Sequence, residues 1–195
     1  AIDRPGWPKA LANILFKEIW QNENTTVFLN VWRSYFRSVD FRAILLSLLV
    51  INPHSGFTKD MVAQLNWLDL HGTLISDLRI LTELEELQRL YLGATAVSDL
   101  SPLAKLKRLQ LLDLTSTSVS DLGPLSNMDE LQTLYLNSTS VSDLNSLSTL
   151  QNLQVLDLSS TLVKDLNPLS KLVNLQELYL RSTSVTDLSS LIRLE

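Results

Sequence analysis

The chain contains no cysteine, which excludes disulfides, thiolate metal sites and cysteine nucleophiles. That absence fits a reducing cytosol and an exported bacterial protein equally, so the compartment stays open. Histidine is almost as scarce. His54 and His71 have no third candidate ligand at metal-site spacing, so neither a metal nor another cofactor is expected. Glycine occurs five times, never in a phosphate-binding loop, and neither G-x-S-x-G nor H-E-x-x-H is present. No enzymatic role is therefore expected. The longest apolar run, 44–51, is interrupted by Ser47 and falls far short of the roughly 18 residues that span a bilayer. Membrane insertion is not expected. The opening AIDRPGWPKA is not a signal peptide, which a processed chain would have lost. Basic residues are deficient where most of the sequence lies: residues 65–195 carry nine Lys/Arg against sixteen Asp/Glu, whereas residues 1–64 carry seven against five. An acidic surface argues against nucleic-acid binding, which needs a basic face.

What the sequence has in abundance is itself. Starting at Leu65, Leu87, Leu109, Leu131, Leu153 and Leu175, the pattern L-x-x-L-x-L-x-x-T-x-V/I-x-D-L-x-x-L-x-x-L/M recurs every 22 residues without insertion. Alternation around Tyr135, with Leu134 and Leu136 on one side and the ring on the other, predicts one short strand per repeat. Val141, Leu144, Leu147 and Leu150 then fill the interior from the return side. Leu103 and Leu106 follow Pro102 at a spacing of three, which suits a short 3₁₀ or α turn rather than a long helix. One repeat cannot bury its own leucines, so neighbours must stack.

These residues resemble the leucine-rich repeats of bacterial internalins, whose 22-residue unit carries the related L-x-x-L-x-L-x-x-N-x-I-x-D-I-x-P-L pattern. The resemblance covers residues 65–194. It implies an α/β solenoid: a curved array with parallel strands on the concave face, short 3₁₀ or irregular turns on the convex face, an N-terminal helical cap, and protein recognition on the concave side. The sequence departs from that pattern in placing Thr where the family has Asn, at Thr73, Thr95, Thr117, Thr139, Thr161 and Thr183. A hydroxyl has fewer hydrogen-bonding sites than an amide, but it can still satisfy backbone at the turn. These threonines are expected to be a structural ladder. The recurring Asp77, Asp99, Asp121, Asp143, Asp165 and Asp187 are expected to accept backbone N–H groups at the start of the convex turn. One carboxylate per turn is too few for calcium.

Residues 1–64 do not repeat and read as helical. Leu11, Ile14, Leu15, Ile19 and Trp20 form one stripe; Phe28, Val31, Trp32, Tyr35 and Phe36 a second; Phe41, Ile44, Leu45, Leu48 and Leu49 a third, stopped at Asn52-Pro53. Thr58 starts a short fourth helix with Met61 and Val62. Residues 40–64 are expected to cap the array, since an open end exposes leucines and a strand edge. Residues 1–39 either extend that cap or close a domain lying upstream. Residue 195 follows the last repeat without a polar capping segment, so the parent protein is expected to continue.

The columns that vary point toward function. The outward third position runs Trp67, Arg89, Leu111, Thr133, Val155, Glu177. The fifth alternates strictly as Asp69, Tyr91, Asp113, Tyr135, Asp157, Tyr179, which makes a 44-residue superrepeat. This alternation is either a relic of duplication or a recognition face. On the second reading, Tyr91, Tyr135 and Tyr179 anchor a protein or peptide partner, with Asp69, Asp113 and Asp157 beside them and Trp67, Arg89, Leu111 and Val155 around them. Neighbouring Asp and Tyr are near enough for a phenol–carboxylate bond or a shared contact surface. A partner-binding module, exported or surface-exposed in a bacterium, is the leading expectation. A sensor segment of a larger intracellular switch ATPase and a spacer without ligand are the alternatives. Partner identity and oligomeric state are not legible.

Overall fold

The computed structural model describes residues 66–192. The helical stripes and cap expected over residues 1–64 lie outside the described residues.

Each repeat forms a three-residue strand, a tight turn, an extended return and a 3₁₀ turn. The strands are β1 (Trp67–Asp69), β2 (Arg89–Tyr91), β3 (Leu111–Asp113), β4 (Thr133–Tyr135), β5 (Val155–Asp157) and β6 (Glu177–Tyr179). They pair in chain order into one parallel sheet. The 3₁₀ turns run Arg79–Glu83, Ser101–Lys105, Gly123–Leu125, Asn145–Leu147, Asn167–Lys171 and Ser189–Leu191. No α-helix occurs among the described residues, because apolar residues at a spacing of three, often after proline, suit the tighter helix. No helix among them is long and apolar enough to cross a membrane.

Register follows the repeat without slippage. Trp67 pairs with Arg89, Arg89 with Leu111, Leu111 with Thr133, and so on to Glu177. A constant length of 22 residues makes this possible: one inserted residue would turn the leucines outward. The core is a stack of leucines. In the second repeat Leu87, Leu90, Leu92, Val97, Leu100, Leu103 and Leu106 are all buried, and Met128 takes a leucine position in the third. A second backbone ladder crosses repeats on the return side, where Ser118, Ser140 and Leu162 donate to the carbonyls of Val97, Val119 and Val141.

The turn after each strand explains the threonine column. The hydroxyls of Thr73, Thr95, Thr117, Thr139, Thr161 and Thr183 each donate to the carbonyl of the leucine three residues earlier, at 2.6–2.8 Å. The bond closes each repeat's own turn and does not reach a neighbouring repeat. Thr95, Thr117, Thr139 and Thr161 are buried. A larger amide is not needed there, because the hydroxyl sits directly over its acceptor.

The residue before each threonine has positive φ: Gly72 at 68°, then Ala94, Ser116, Ser138, Ser160 and Ser182 between 54° and 60°. Only glycine adopts this region without steric cost, and an L side chain there is disfavoured by roughly 1–2 kcal/mol. Ser138 is exposed. Ser138→Gly is therefore expected to raise unfolding free energy by about 0.5–1 kcal/mol, the backbone relief less glycine's extra chain entropy. Urea denaturation reads this directly; a destabilised variant would show that the left-handed turn carries no strain.

Candidate functional site

The second aspartate column is structural. Oδ1 of Asp77, Asp99, Asp121, Asp143, Asp165 and Asp187 accepts the backbone N–H two residues on, at 2.8–3.0 Å, which is the first N–H of each 3₁₀ turn. Hydrogen bonds from Ser101 hold the Asp99 carboxyl below the ordinary range, and the backbone N–H of Ser189 does the same for Asp187. Among the described residues no group of His, Asp and Glu converges as a metal site. One carboxylate per turn, each spent on its own backbone, accounts for that.

The strand face is a different matter. Parallel register turns the sequence columns into physical rows. Asp69, Tyr91, Asp113, Tyr135, Asp157 and Tyr179 lie side by side across all six strands, and Trp67, Arg89, Leu111, Thr133, Val155 and Glu177 form the adjacent row. Leucines alternate with them and point inward, so both rows share the outer face. Tyr91, Tyr135, Leu111 and Val155 are half-buried by their neighbours; Arg89, Glu177 and Tyr179 are exposed. Trp67 meets Tyr91 edge-on with ring centroids 6.3 Å apart, the aromatic geometry favoured by ring quadrupoles.

The fifth-column aspartates have a task that sequence reasoning missed. Asp69, Asp113 and Asp157 each accept the backbone N–H two residues on, from His71, Thr115 and Ser159, at 2.8–2.9 Å. One carboxylate oxygen of each is thus committed to the turn that follows the strand. The signal was available, since the same Asp-to-second-N–H spacing occurs in the convex column. Within β6 the Tyr179 hydroxyl donates to Glu177 at 2.6 Å. That bond raises the Tyr179 phenol pKa. Desolvation raises that of Tyr135, with Tyr91, Asp113, Glu177 and Asp157 adding to it. Both phenols therefore stay neutral donors near neutral pH.

The seventh column adds two features. The Thr115 hydroxyl donates to Asn137 Oδ1 across neighbouring repeats at 2.7 Å. Gly93 is buried, and a Cβ there would stand 2.6 Å from His71 Nδ1 and 3.2 Å from Asp113 Oδ2. Glycine lets the side chains of the flanking repeats close over it. Away from this face, Arg108 pairs with Glu86 and Lys107 donates to the Asn127 carbonyl, both as exposed contacts between repeats.

The comparisons with known proteins agree with this geometry. Residues 151–193 match the family model for leucine-rich repeats in two copies. Internalin C2 from Listeria monocytogenes superposes with a TM-score of 0.63 at 31% identity, over 65% of this chain and 56% of that one. An internalin F from the same organism gives 0.70 at 27% identity, over 78% and 44%. A leucine-rich repeat protein from Leptospira interrogans gives 0.64 at 25% identity, over 70% and 37%. No match to a curated protein was found. The chain spans about half the length of these two internalins. Residues 66–192 form a leucine-rich repeat solenoid, similar in structure to internalins.

Proposed function

We propose that this chain is a non-catalytic protein-recognition module whose strand face receives a protein or peptide partner. The observation that carries this reading is the distribution of variation. Leucine, threonine and convex aspartate positions barely change over six repeats, and each has a structural task. The outward third strand positions and the seventh positions just after the strands differ in almost every repeat, and the third positions lie in register on one surface. Aromatic groups at its fifth position provide large contact area at low entropy cost. The similarity to internalins supports the same reading. Binding through the convex side would leave the tyrosine row without a role.

Panning a random peptide library against the immobilised protein tests it. Selected peptides are expected to lose binding to a Tyr91→Ala, Tyr135→Ala, Tyr179→Ala variant, since buried aromatic anchors dominate interface energy. They are expected to keep binding to a Lys105→Glu, Lys107→Glu, Arg108→Glu variant of the convex side. The reverse pattern would reject the strand face.

A further inference from the structure

We propose that the strand face takes a polyproline II segment bearing a cationic side chain at every third residue, laid across the strands. This rests on the recognition reading above and names the partner's chemistry. Period and charge both point to this ligand. Neighbouring parallel strands lie about 4.7–4.9 Å apart, so each Asp or Tyr recurs, two strands on, after about 9.4–9.8 Å. A polyproline II helix has three residues per turn at a rise of about 3.1 Å, so equivalent side chains recur every ~9.3 Å. The two periods differ by only a few tenths of an ångström per tooth. A β-strand laid the same way repeats its facing side chains every ~6.6 Å, and an α-helix has a pitch of about 5.4 Å. Both drift out of step with the row after one contact.

Charge complementarity sets the ligand's sign. The outward positions of β3, β4 and β5 carry Asp113 and Asp157 and no lysine or arginine. Each of these carboxylates gives one oxygen to the turn and keeps a second for a ligand. Between them stands Tyr135, a half-buried neutral phenol. Tyrosine faces suit proline rings, and the phenol can donate to the ligand's carbonyls, which have no internal hydrogen bonds in this helix. Cationic residues at every third position would meet Asp113 and Asp157 in turn, with the prolines between them over Tyr135. A pre-extended helix loses little entropy on docking.

Fluorescence anisotropy with three labelled peptides tests this on the whole chain: four Pro-Pro-Arg repeats, a block peptide of the same composition with the arginines together, and four Pro-Pro-Glu repeats. The periodic arginine peptide is expected to bind about tenfold or more tightly than the block peptide, with the glutamate peptide not binding. Asp113→Asn with Asp157→Asn is expected to weaken it about tenfold and flatten its salt dependence. The asparagine oxygen can still accept the turn N–H, so an unchanged melting temperature separates lost charge from lost fold. Equal affinity for periodic and block peptides, or an unaffected Asp113→Asn/Asp157→Asn variant, overturns the inference. If library-selected peptides require the tyrosines while the Pro-Pro-Arg peptide fails, the ligand class alone is wrong. If the selected peptides ignore the tyrosines, the recognition reading falls with it.

Discussion

Leu134→Ala is expected to lower unfolding free energy by about 2–5 kcal/mol, the range for truncating a fully buried leucine. Leu134 has no exposed surface and lies at the centre of β4, between Leu112 of β3 and Leu156 of β5. Its loss removes apolar burial and leaves a cavity walled by two other repeats. Those walls belong to rows that register holds in place, so they cannot collapse inward without shifting the ladder. Leu178→Ala in β6 is expected to cost less, because Leu178 is only partly buried. A denaturant series on the two variants checks both statements. Equal losses would mean that the sixth repeat is packed as tightly as the fourth.

Thr139→Val is expected to cost about 1–3 kcal/mol although shape and volume are nearly kept. The Thr139 hydroxyl donates to the Leu136 carbonyl at 2.7 Å inside a buried turn. Valine fills the same space and leaves that carbonyl short of a donor. Thr139→Ser retains the hydroxyl and is expected to recover most of the loss. If valine and serine behave alike, the column is held by packing and not by its hydrogen bonds. Carrying valine into Thr117 and Thr161 is expected to weaken the array further, because the same bond is lost in three consecutive turns.

The parts of the molecule legible in the sequence are those governed by period. A constant 22-residue spacing fixes register, and alternation around residues such as Tyr135 fixes which side chains face out. The strand rows therefore follow from counting. Short convex turns follow from Leu103 and Leu106 behind Pro102, and their aspartates from the Asp-x-N–H spacing; that the turns close as 3₁₀ and not α does not. Backbone conformation was less visible. Serine at 116, 138, 160 and 182 does not announce a left-handed residue, because the cost of placing it there is met by the buried threonine bond beside it. Spacing marks Asp113 and Asp157 as contact residues or phenol partners; their bonds to the turn show that one carboxylate can brace the fold and still present an oxygen outward. The direction of the Tyr179 bond, toward Glu177 in its own strand, depends on side-chain rotamers that spacing does not determine.

The central claim, that partners meet the strand face, is tested most directly by footprinting. A library-selected peptide is bound, tyrosines are nitrated and lysines acylated, and modification is read residue by residue by mass spectrometry. The account predicts that binding slows nitration of Tyr91, Tyr135 and Tyr179 and leaves acylation of Lys105, Lys107 and Lys171 unchanged. Protection of those lysines with the three tyrosines still open would contradict it.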